Sequence, residues 1–410
     1  MSALVPLTEE QRAHFSWLTA PYLEKVIGAL VTAEPGAARF VGGCVRDSLL
    51  GTAPKDFDVA TPLTPEAASA ALKAAGLGVA PTGIDHGTVT AIADHKGVEV
   101  TTLRADVSTD GRRATVAFTR DWAVDAGRRD FTVNAIYLTP DGRLYDPVGG
   151  VADVAAKRVR FIGDPEARIR EDYLRILRFF RFSARFCETF DVAGLAACAA
   201  LKDGMKQLSA ERIGAEMSGI LALPRASFAL QAMDETGILV EVFDADADLE
   251  AAARMKNLDA SAPAPLMLAA LYGEAGSGVG ARLRLSNAEK AMRSRAVDNA
   301  GAVAADMTAH AIRERLYRIG RDGFSDALLT AAAWDRIGEA DYARLRALAE
   351  AAMAPEFAIS GRHALDAGVS PGPQVSQILA AVEAQWIAED FPSADRQQAI
   401  LEAEIAKRRR

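Results

Sequence analysis

The chain has 410 residues, half of them hydrophobic, with a formal net charge of −8 and three cysteines. That length exceeds what one core usually serves and predicts two to four domains, while the longest uncharged stretch, around 260–272, is short and broken by prolines, which excludes a membrane span. The net negative charge argues against a protein that coats nucleic acid without specificity, the opening MSALVPLTEEQRAHF lacks a secretory leader pattern, and the scarce Cys44, Cys187 and Cys198 have no metal-ligand spacing, so a cytoplasmic protein is expected.

In chain order, a helix is expected over 18–30, and Arg39 to Val41 reads as the end of a strand. Gly42-Gly43 then let backbone amides approach an anion where a Cβ would obstruct it. Cys44 to Leu50 has helical spacing, with Val45, Leu49 and Leu50 available for the core and Gly51 at the stop, and Arg46 near the helix start is free to reach phosphate oxygens. Asp56-Phe57-Asp58-Val59 alternates as a strand, so both carboxylates point to one side. Paired oxygen donors suit Mg²⁺, a hard ion that shares its ligands with substrate phosphates. Alone, a glycine pair is most often a turn and Asp-x-Asp a chance pair; in this order they form a candidate site for a metal-bound triphosphate.

A helix over 65–75 follows, and strands are expected at VTAIA (89–93), VEVTTL (98–103), TVAF (115–118) and TVNAIYL (132–138), which makes an α/β head up to about Tyr145. GRRDFTVNA, 127–135, reads unaided as a loop entering a strand. After about Asp164, alanine-rich helical periodicity continues to the end, with turn-rich breaks at Leu223-Pro224, Asp259 to Pro265 and Ser370 to Pro373. IREDYLRILRFFRFSARF, 169–186, reads as one amphipathic helix: Leu174, Leu177, Phe180 and Phe182 or Ala184 form its apolar side, and Asp172, Arg175, Arg178 and Arg181 recur on a charged side with intrahelical pairing. From Lys157 to Arg185 nine Lys or Arg stand against four Asp or Glu, a basic zone in an acidic chain; smaller basic clusters lie at 281–295 and in the terminal KRRR.

The run GGCVRDSLLG followed by DFD resembles the head-domain signature of class II tRNA nucleotidyltransferases and bacterial poly(A) polymerases, members of the polymerase-β nucleotidyltransferase superfamily. RRDFTVNA resembles the family's next motif, EDYLRILRFFRF its EDxxRxxRxxRF motif, Tyr145 to Ile169 its head-to-neck segment, and LSAERIGAEMSGIL (208–221) its later neck motif. The resemblance covers roughly 39–223. It implies an α+β fold: a polymerase-β-like nucleotidyltransferase head domain over 1–145 with its catalytic core at 38–145, followed by an all-α neck over 146–223 that carries the base-template helix, then an all-helical body and tail over 224–410 for RNA binding.

The same resemblance implies site residues. Asp56 and Asp58 are the catalytic and Mg²⁺-binding carboxylates, and Glu99 is the candidate third carboxylate on a neighbouring strand, an exposed strand residue being the alternative. Gly42, Gly43 and Arg46 serve the phosphates, Arg129 gives the triphosphate a planar donor fork, and Asp130 or Asn134 bonds the ribose hydroxyls. Asp172 and Arg175 form the template that reads the incoming base, with Arg178 and Arg181 near the phosphates or the base. His86 either lines the cleft or is structural, and Arg112 and Arg113 lie in a glycine-containing segment that could move.

A donor and acceptor count explains such a template. Adenine and cytosine each present an exocyclic amino donor beside an unprotonated ring nitrogen, which a carboxylate and a guanidinium match. Uracil and guanine invert the pattern and would leave buried groups unpaired, at about 1–3 kcal/mol per group. The motif therefore predicts ATP and CTP together. Within the family, TGIDHGTVTAIADHKGVEVTTLR (82–104) looks like the CCA-adding members, and the basic G-R-R-F segment typical of bacterial poly(A) polymerases is absent. The five histidines form no His-Asp pair or metal-type grouping, so an appended phosphohydrolase domain is not expected. The implied activity is template-independent CCA addition to the tRNA 3′ end, with tRNA, ATP and CTP as partners, no membrane and no stable protein partner inferable. A poly(A) polymerase, a partial CC- or A-adding enzyme and a non-catalytic RNA-binding relative are the rivals.

Overall fold

The computed structural model describes residues 3–84, 87–106, 116–273 and 278–408. His86, Arg112, Arg113 and the last two arginines of KRRR lie outside them. The chain forms two compact units, Met1–Ile220 with Phe228–Asp244, and Leu221–Ser227 with Ala245–Arg410, so the neck helices belong to the same unit as the head.

The first unit is built on a mixed sheet of eight strands in the order β1-β10-β9-β2-β3-β6-β5-β4, where β1 is Val5–Pro6, β2 Arg39–Val41, β3 Asp58–Thr61, β4 Gly78–Gly83, β5 Thr88–Ala93, β6 Lys96–Thr102, β9 Tyr137–Leu138 and β10 Arg143–Tyr145. Two further strands, β7 (Arg104–Asp106) and β8 (Val116–Phe118), pair separately. All pairings in the large sheet are antiparallel except β3 with β6, which run parallel and set Asp58 opposite Glu99 and Val59 opposite Val100. Alternation does its ordinary work here: Val98 and Val100 are buried while Glu99 between them is exposed. The Pro21–Ala33 helix, with proline in its first turn, packs Leu23, Val26, Ile27 and Leu30 inward at helical spacing. It starts at Pro21 rather than Leu18 because Ala13–Thr19 winds as a 3₁₀ helix.

Three sequence expectations need correction. Asp56 and Phe57 precede the strand, which begins at Asp58; Phe57 is anchored instead by the rings of Trp17, 4.9 Å away, and Tyr22. The strand expected over 132–138 is a 3₁₀ turn at Thr132–Asn134 followed by β9 alone. Polar demands override β propensity there: the Thr132 hydroxyl donates to Asp153 at 2.6 Å, and Gly150 packs so tightly on the Thr132 carbonyl that a Cβ would lie 2.1 Å from it. The helix expected over 169–186 is two, Pro165–Glu171 and Leu174–Phe186. Between them Asp172 is extended (φ −157°, ψ 105°), and its Oδ1 accepts the Leu174 amide at 3.1 Å, so the side chain competes with the helix for backbone groups.

The second of these helices buries Ile176, Leu177, Phe179, Phe180, Phe182 and Ala184, whereas Leu174 is only half-buried. Phe131, Phe161, Phe179 and Phe182 interlock, with centroids 4.9 Å apart for Phe131–Phe161 and 5.4 Å for the stacked Phe161–Phe179 pair, which ties the helix to the sheet unit. Among the described residues every regular element of the second unit is a helix, and one of its cores gathers Ile378, Val382, Trp386, Ile400 and Leu401. On its surface His310 does meet an aspartate, Asp390, at 2.8 Å, in an exposed cluster with Arg313. Among the described residues no helix is long and apolar enough to cross a membrane.

Candidate active site

The site grows from the end of β2. Gly42 holds φ 74° and ψ −123°, a left-handed backbone that favours glycine, and Gly43 opens the Gly43–Leu49 helix. A Cβ on Gly42 would come within 3.9 Å of Arg129 Nη1, so that guanidinium lies beside the turn. Cys44, beneath the turn, is fully buried, and burial pushes its thiol up to about 12, which makes it an inert packing residue.

Across the strand pair, Asp58 is half-buried and Glu99 sits next to it in register, so adjacent parallel strands about 4.8 Å apart present two carboxylates on one face. Burial raises the Asp58 carboxyl first; repulsion from Glu99 and Asp56 raises it further, and nearby Arg129 pulls it part of the way back, to about 6. The three carboxylates feel one another, yet among the described residues no three His, Cys, Asp or Glu side chains converge into a ready-made metal cage. Such a donor set fits a hard divalent ion that takes one or two protein carboxylates and completes its shell with phosphate oxygens and water.

Arg46 is not free, contrary to the sequence expectation. It is buried, bonds Asp47 Oδ1 through Nε at 2.9 Å and donates from Nη1 to Asn134 Oδ1 at 2.5 Å. Asn134 in turn donates to Asp130 Oδ1 at 3.1 Å, and Asp130 Oδ2 accepts from Arg178 Nε at 2.7 Å. Arg178 and Arg181 both reach Glu216, the latter at 2.6 Å. A buried polar chain therefore runs Arg46–Asn134–Asp130–Arg178–Glu216–Arg181, and it holds the Asp130 carboxyl below its ordinary value against the opposing effect of burial.

A second anchor is Asp125 on the Trp122–Gly127 helix. Its Oδ1 accepts from Arg128 at 2.6 Å and from the Arg104 amide at 3.0 Å, and its Oδ2 accepts from Arg129 at 3.1 Å and the Tyr137 hydroxyl at 2.6 Å. Burial alone would raise this carboxyl, but Arg129, Arg128 and the Tyr137 hydroxyl bring it down to about 2.

Asp172 and Arg175, at and just after the helix break, turn their side chains to different partners: Asp172 Oδ2 meets Arg212 at 2.7 Å, while Arg175 donates to Glu171 and to the carbonyls of Arg168 and Arg128. The basic zone is likewise committed. Each of its nine cations has a carboxylate partner, seven carboxylates in all, so it is a network of ion pairs and not a bare positive face.

Residues 38–160 match a family described as the poly A polymerase head domain, and 190–247 match one described as a probable RNA and SrmB-binding site of polymerase A. The mitochondrial CCA tRNA nucleotidyltransferase 1 of Mus musculus is 34% identical over 373 residues, 88% of this chain and 85% of the relative. The chain belongs to the CCA tRNA nucleotidyltransferase and poly(A) polymerase family. The CCA-adding enzyme of Levilactobacillus brevis is 31% identical over 373 residues, 87% of this chain and 91% of that enzyme. The Bacillus stearothermophilus CCA-adding enzyme solved in complex with CTP matches with a TM-score of 0.76 and 25% identity, over 95% of this chain and 99% of that one. Membership makes the protein a nucleotidyltransferase with an α+β head, and enzymes of the family generally use a divalent metal.

Against that family the residues that sequence reading passed over are the partners: Asp47, Asp125, Arg212 and Glu216. Asp125 had a local signal, standing four residues before Arg129. Glu216 and Arg212 lie within the quoted neck motif, but their partners are 35 and 40 residues away, which no local spacing exposes.

Proposed function

We propose that the protein is a CCA-adding enzyme, a template-independent nucleotidyltransferase that builds CCA on the 3′ end of tRNA from CTP and ATP and releases pyrophosphate. The observation that carries this reading is the likeness to CCA enzymes along 373 residues, through the helical part as well as the head, because head motifs alone serve nucleotidyl transfer in general. Gly42 makes the left-handed turn, its own amide donating to the Ile136 carbonyl at 3.3 Å, so the Gly43 amide is the one offered to the triphosphate, and Arg129, braced by Asp125, supplies positive charge beside it. Asp56 and Asp58 hold Mg²⁺, with Glu99 as the third carboxylate. Bound there, Mg²⁺ offsets triphosphate charge and lowers the pKa of the RNA 3′ hydroxyl. Arg46 acts from beneath the turn, through Asn134 and Asp130, to place Arg178 near the nucleotide. Asp130 and Asn134 share their remaining lone pairs and protons with the ribose. The site of action is the cytoplasm, in keeping with the scarcity of cysteine in the chain.

Asp172 and Arg175 read the base. The Asp172–Arg212 pair is partly exposed, and such pairs contribute about 0–1 kcal/mol, so a base amino group can replace Arg212. Arg175 uses three of its five N–H donors on protein oxygens and keeps others for a ring nitrogen. Asp172→Ala is expected to lower discrimination against UTP and GTP by roughly ten- to a hundredfold, the loss of one paired buried group, while Mg²⁺ affinity stays as it was. Ratios of kcat/KM for the four nucleotides measure this, and unchanged ratios would remove the base-reading role.

The activity itself is tested with tRNA transcripts ending before CCA, after C and after CC, one nucleotide supplied at a time. Expected are two C additions with CTP on the shortest transcript and one A with ATP on the longest. Long A-tracts on unstructured RNA would instead assign a poly(A) polymerase, single-nucleotide competence a partial enzyme, and no extension a non-catalytic relative.

A further inference from the structure

Arg39 begins β2, roughly 10 Å along the strand from Gly42, and its side chain lines two cavities of the head, of about 520 and 970 Å³. The guanidinium carbon lies 4.0 Å from the Trp122 ring centroid and 4.7 Å from that of Tyr145, so two aromatic faces fix its plane. Its Nη1 is buried and has no hydrogen-bond partner, and among the described residues no carboxylate pairs with it. Every basic residue of the 157–185 zone has such a partner, which Arg39 lacks. Burial and neighbouring Arg143 both disfavour its charge, with only the Tyr145 and Tyr137 hydroxyls opposing them. Buried donors in native proteins are paired almost without exception, and half-buried Arg39 leaves one unpaired.

We propose that Arg39 is the anchor of a second, non-catalytic ligand site that takes the phosphate group of a small molecule. A planar guanidinium held between rings presents its free N–H groups in the fork that phosphate oxygens match. One further arginine stands at the wall of each cavity: Arg120, 67% exposed and paired with Glu34, at the larger, and Arg143, 48% exposed and paired with Asp141, at the smaller. Exposed pairs of that kind hold weakly, so Arg120 is available to a ligand in the larger cavity, and two cations suit the near-dianionic charge of a phosphate monoester better than a single carboxylate. The larger cavity has the volume of a nucleotide-sized ligand. Free orthophosphate and a nucleoside monophosphate are the two sources of this chemistry.

The test is isothermal titration of the whole protein with orthophosphate, AMP and citrate in turn, with a non-hydrolysable CTP analogue and Mg²⁺ present to fill the nucleotide site. The expected result is one equivalent of orthophosphate or AMP bound, weakened about tenfold or more in Arg39→Met and partly kept in Arg39→Lys. Equal affinities assign free phosphate as the ligand, and tighter AMP a nucleotide. Should Arg39→Met not fold, Arg120→Ala, at an exposed position on the larger cavity, is expected to weaken binding severalfold. No phosphate or AMP binding by the unaltered protein, the same affinity in these variants, or preference for citrate overturns the proposal.

Discussion

Replacing Asp58 by asparagine is expected to abolish nucleotidyl transfer and, at the same time, to raise the thermal midpoint of the metal-free protein. A divalent metal contributes several kcal/mol to a phosphoryl-type transition state, and losing about 4 kcal/mol slows turnover by about a thousandfold. The gain in stability comes from the same carboxylate. Folding places it beside Glu99 and Asp56 and partly out of water, which lifts its pKa from the usual value near 3.8 to about 6. Below pH 4 it is protonated in both folded and unfolded chains and costs nothing. Between pH 4 and 6 the unfolded chain ionises first, so stability falls as pH rises, and above pH 6 the loss is complete. Two pKa units correspond to at most about 3 kcal/mol, which solvent at this half-buried position reduces to about 1 kcal/mol. Melting curves at pH 4 and pH 7.5 check this: the gain for Asp58→Asn belongs to the higher pH. Added Mg²⁺ should stabilise the unaltered protein and leave the variant unmoved, since an ion bound only by the native state adds stability by mass action. A variant that loses activity with no gain in stability at pH 7.5 would mean that the three carboxylates do not strain one another.

The parts of this site that sequence made legible are those whose chemistry is local. The Gly42–Gly43 turn, the Arg39–Val41 strand and the helix after it follow from spacing within a dozen residues, and the structure has them where the pattern puts them. Glu99 comes from the family resemblance, and strand alternation leaves it exposed between two buried valines. What spacing could not reveal is which charges satisfy one another. Arg46 reads as a free phosphate ligand until the fold brings Asn134 to it from 88 residues away, and Arg185 reads as part of a basic face until it meets Asp47 across 138 residues. The break at Asp172 escaped for a related reason: the periodicity of 169–186 is helical throughout, and only the bonds of one aspartate, to the Leu174 amide and to Arg212, end one helix and start another. The α+β architecture survived these errors because it rests on buried apolar faces, which a shift of a few residues in an element does not move.

Asp125→Ala is expected to be the most destabilising single change in the first unit, although no sequence motif marks the residue. Its carboxylate is 1% exposed and takes hydrogen bonds from two arginines, a tyrosine hydroxyl and the Arg104 amide. Removing it leaves Arg129 and the Tyr137 hydroxyl buried without their acceptor, and breaking a buried charge pair on one side costs about 3–5 kcal/mol. For a unit of this size each kcal/mol is about 2–4 °C, so the first unfolding transition should fall by roughly 10 °C. Tyr137→Phe, which removes one donor and leaves the arginines paired, should cost only about 1 kcal/mol. The pH dependence has the opposite sign to that of Asp58. Asp125 is held down at about 2, so its contribution is fully present above pH 4 and is lost as pH falls from 4 towards 2. Calorimetry of both variants at pH 7 and near pH 3 separates the cases: the gap between unaltered protein and Asp125→Ala should narrow in acid, and the Tyr137→Phe gap should change little. The same variant should lose nucleotidyl transfer even where it stays folded, because Arg129 then no longer has the brace that sets it beside Gly42 and Asp58. If Asp125→Ala keeps full activity at a temperature where it is folded, Arg129 is positioned by the Tyr137 ring and hydroxyl alone, and the carboxylate serves stability only.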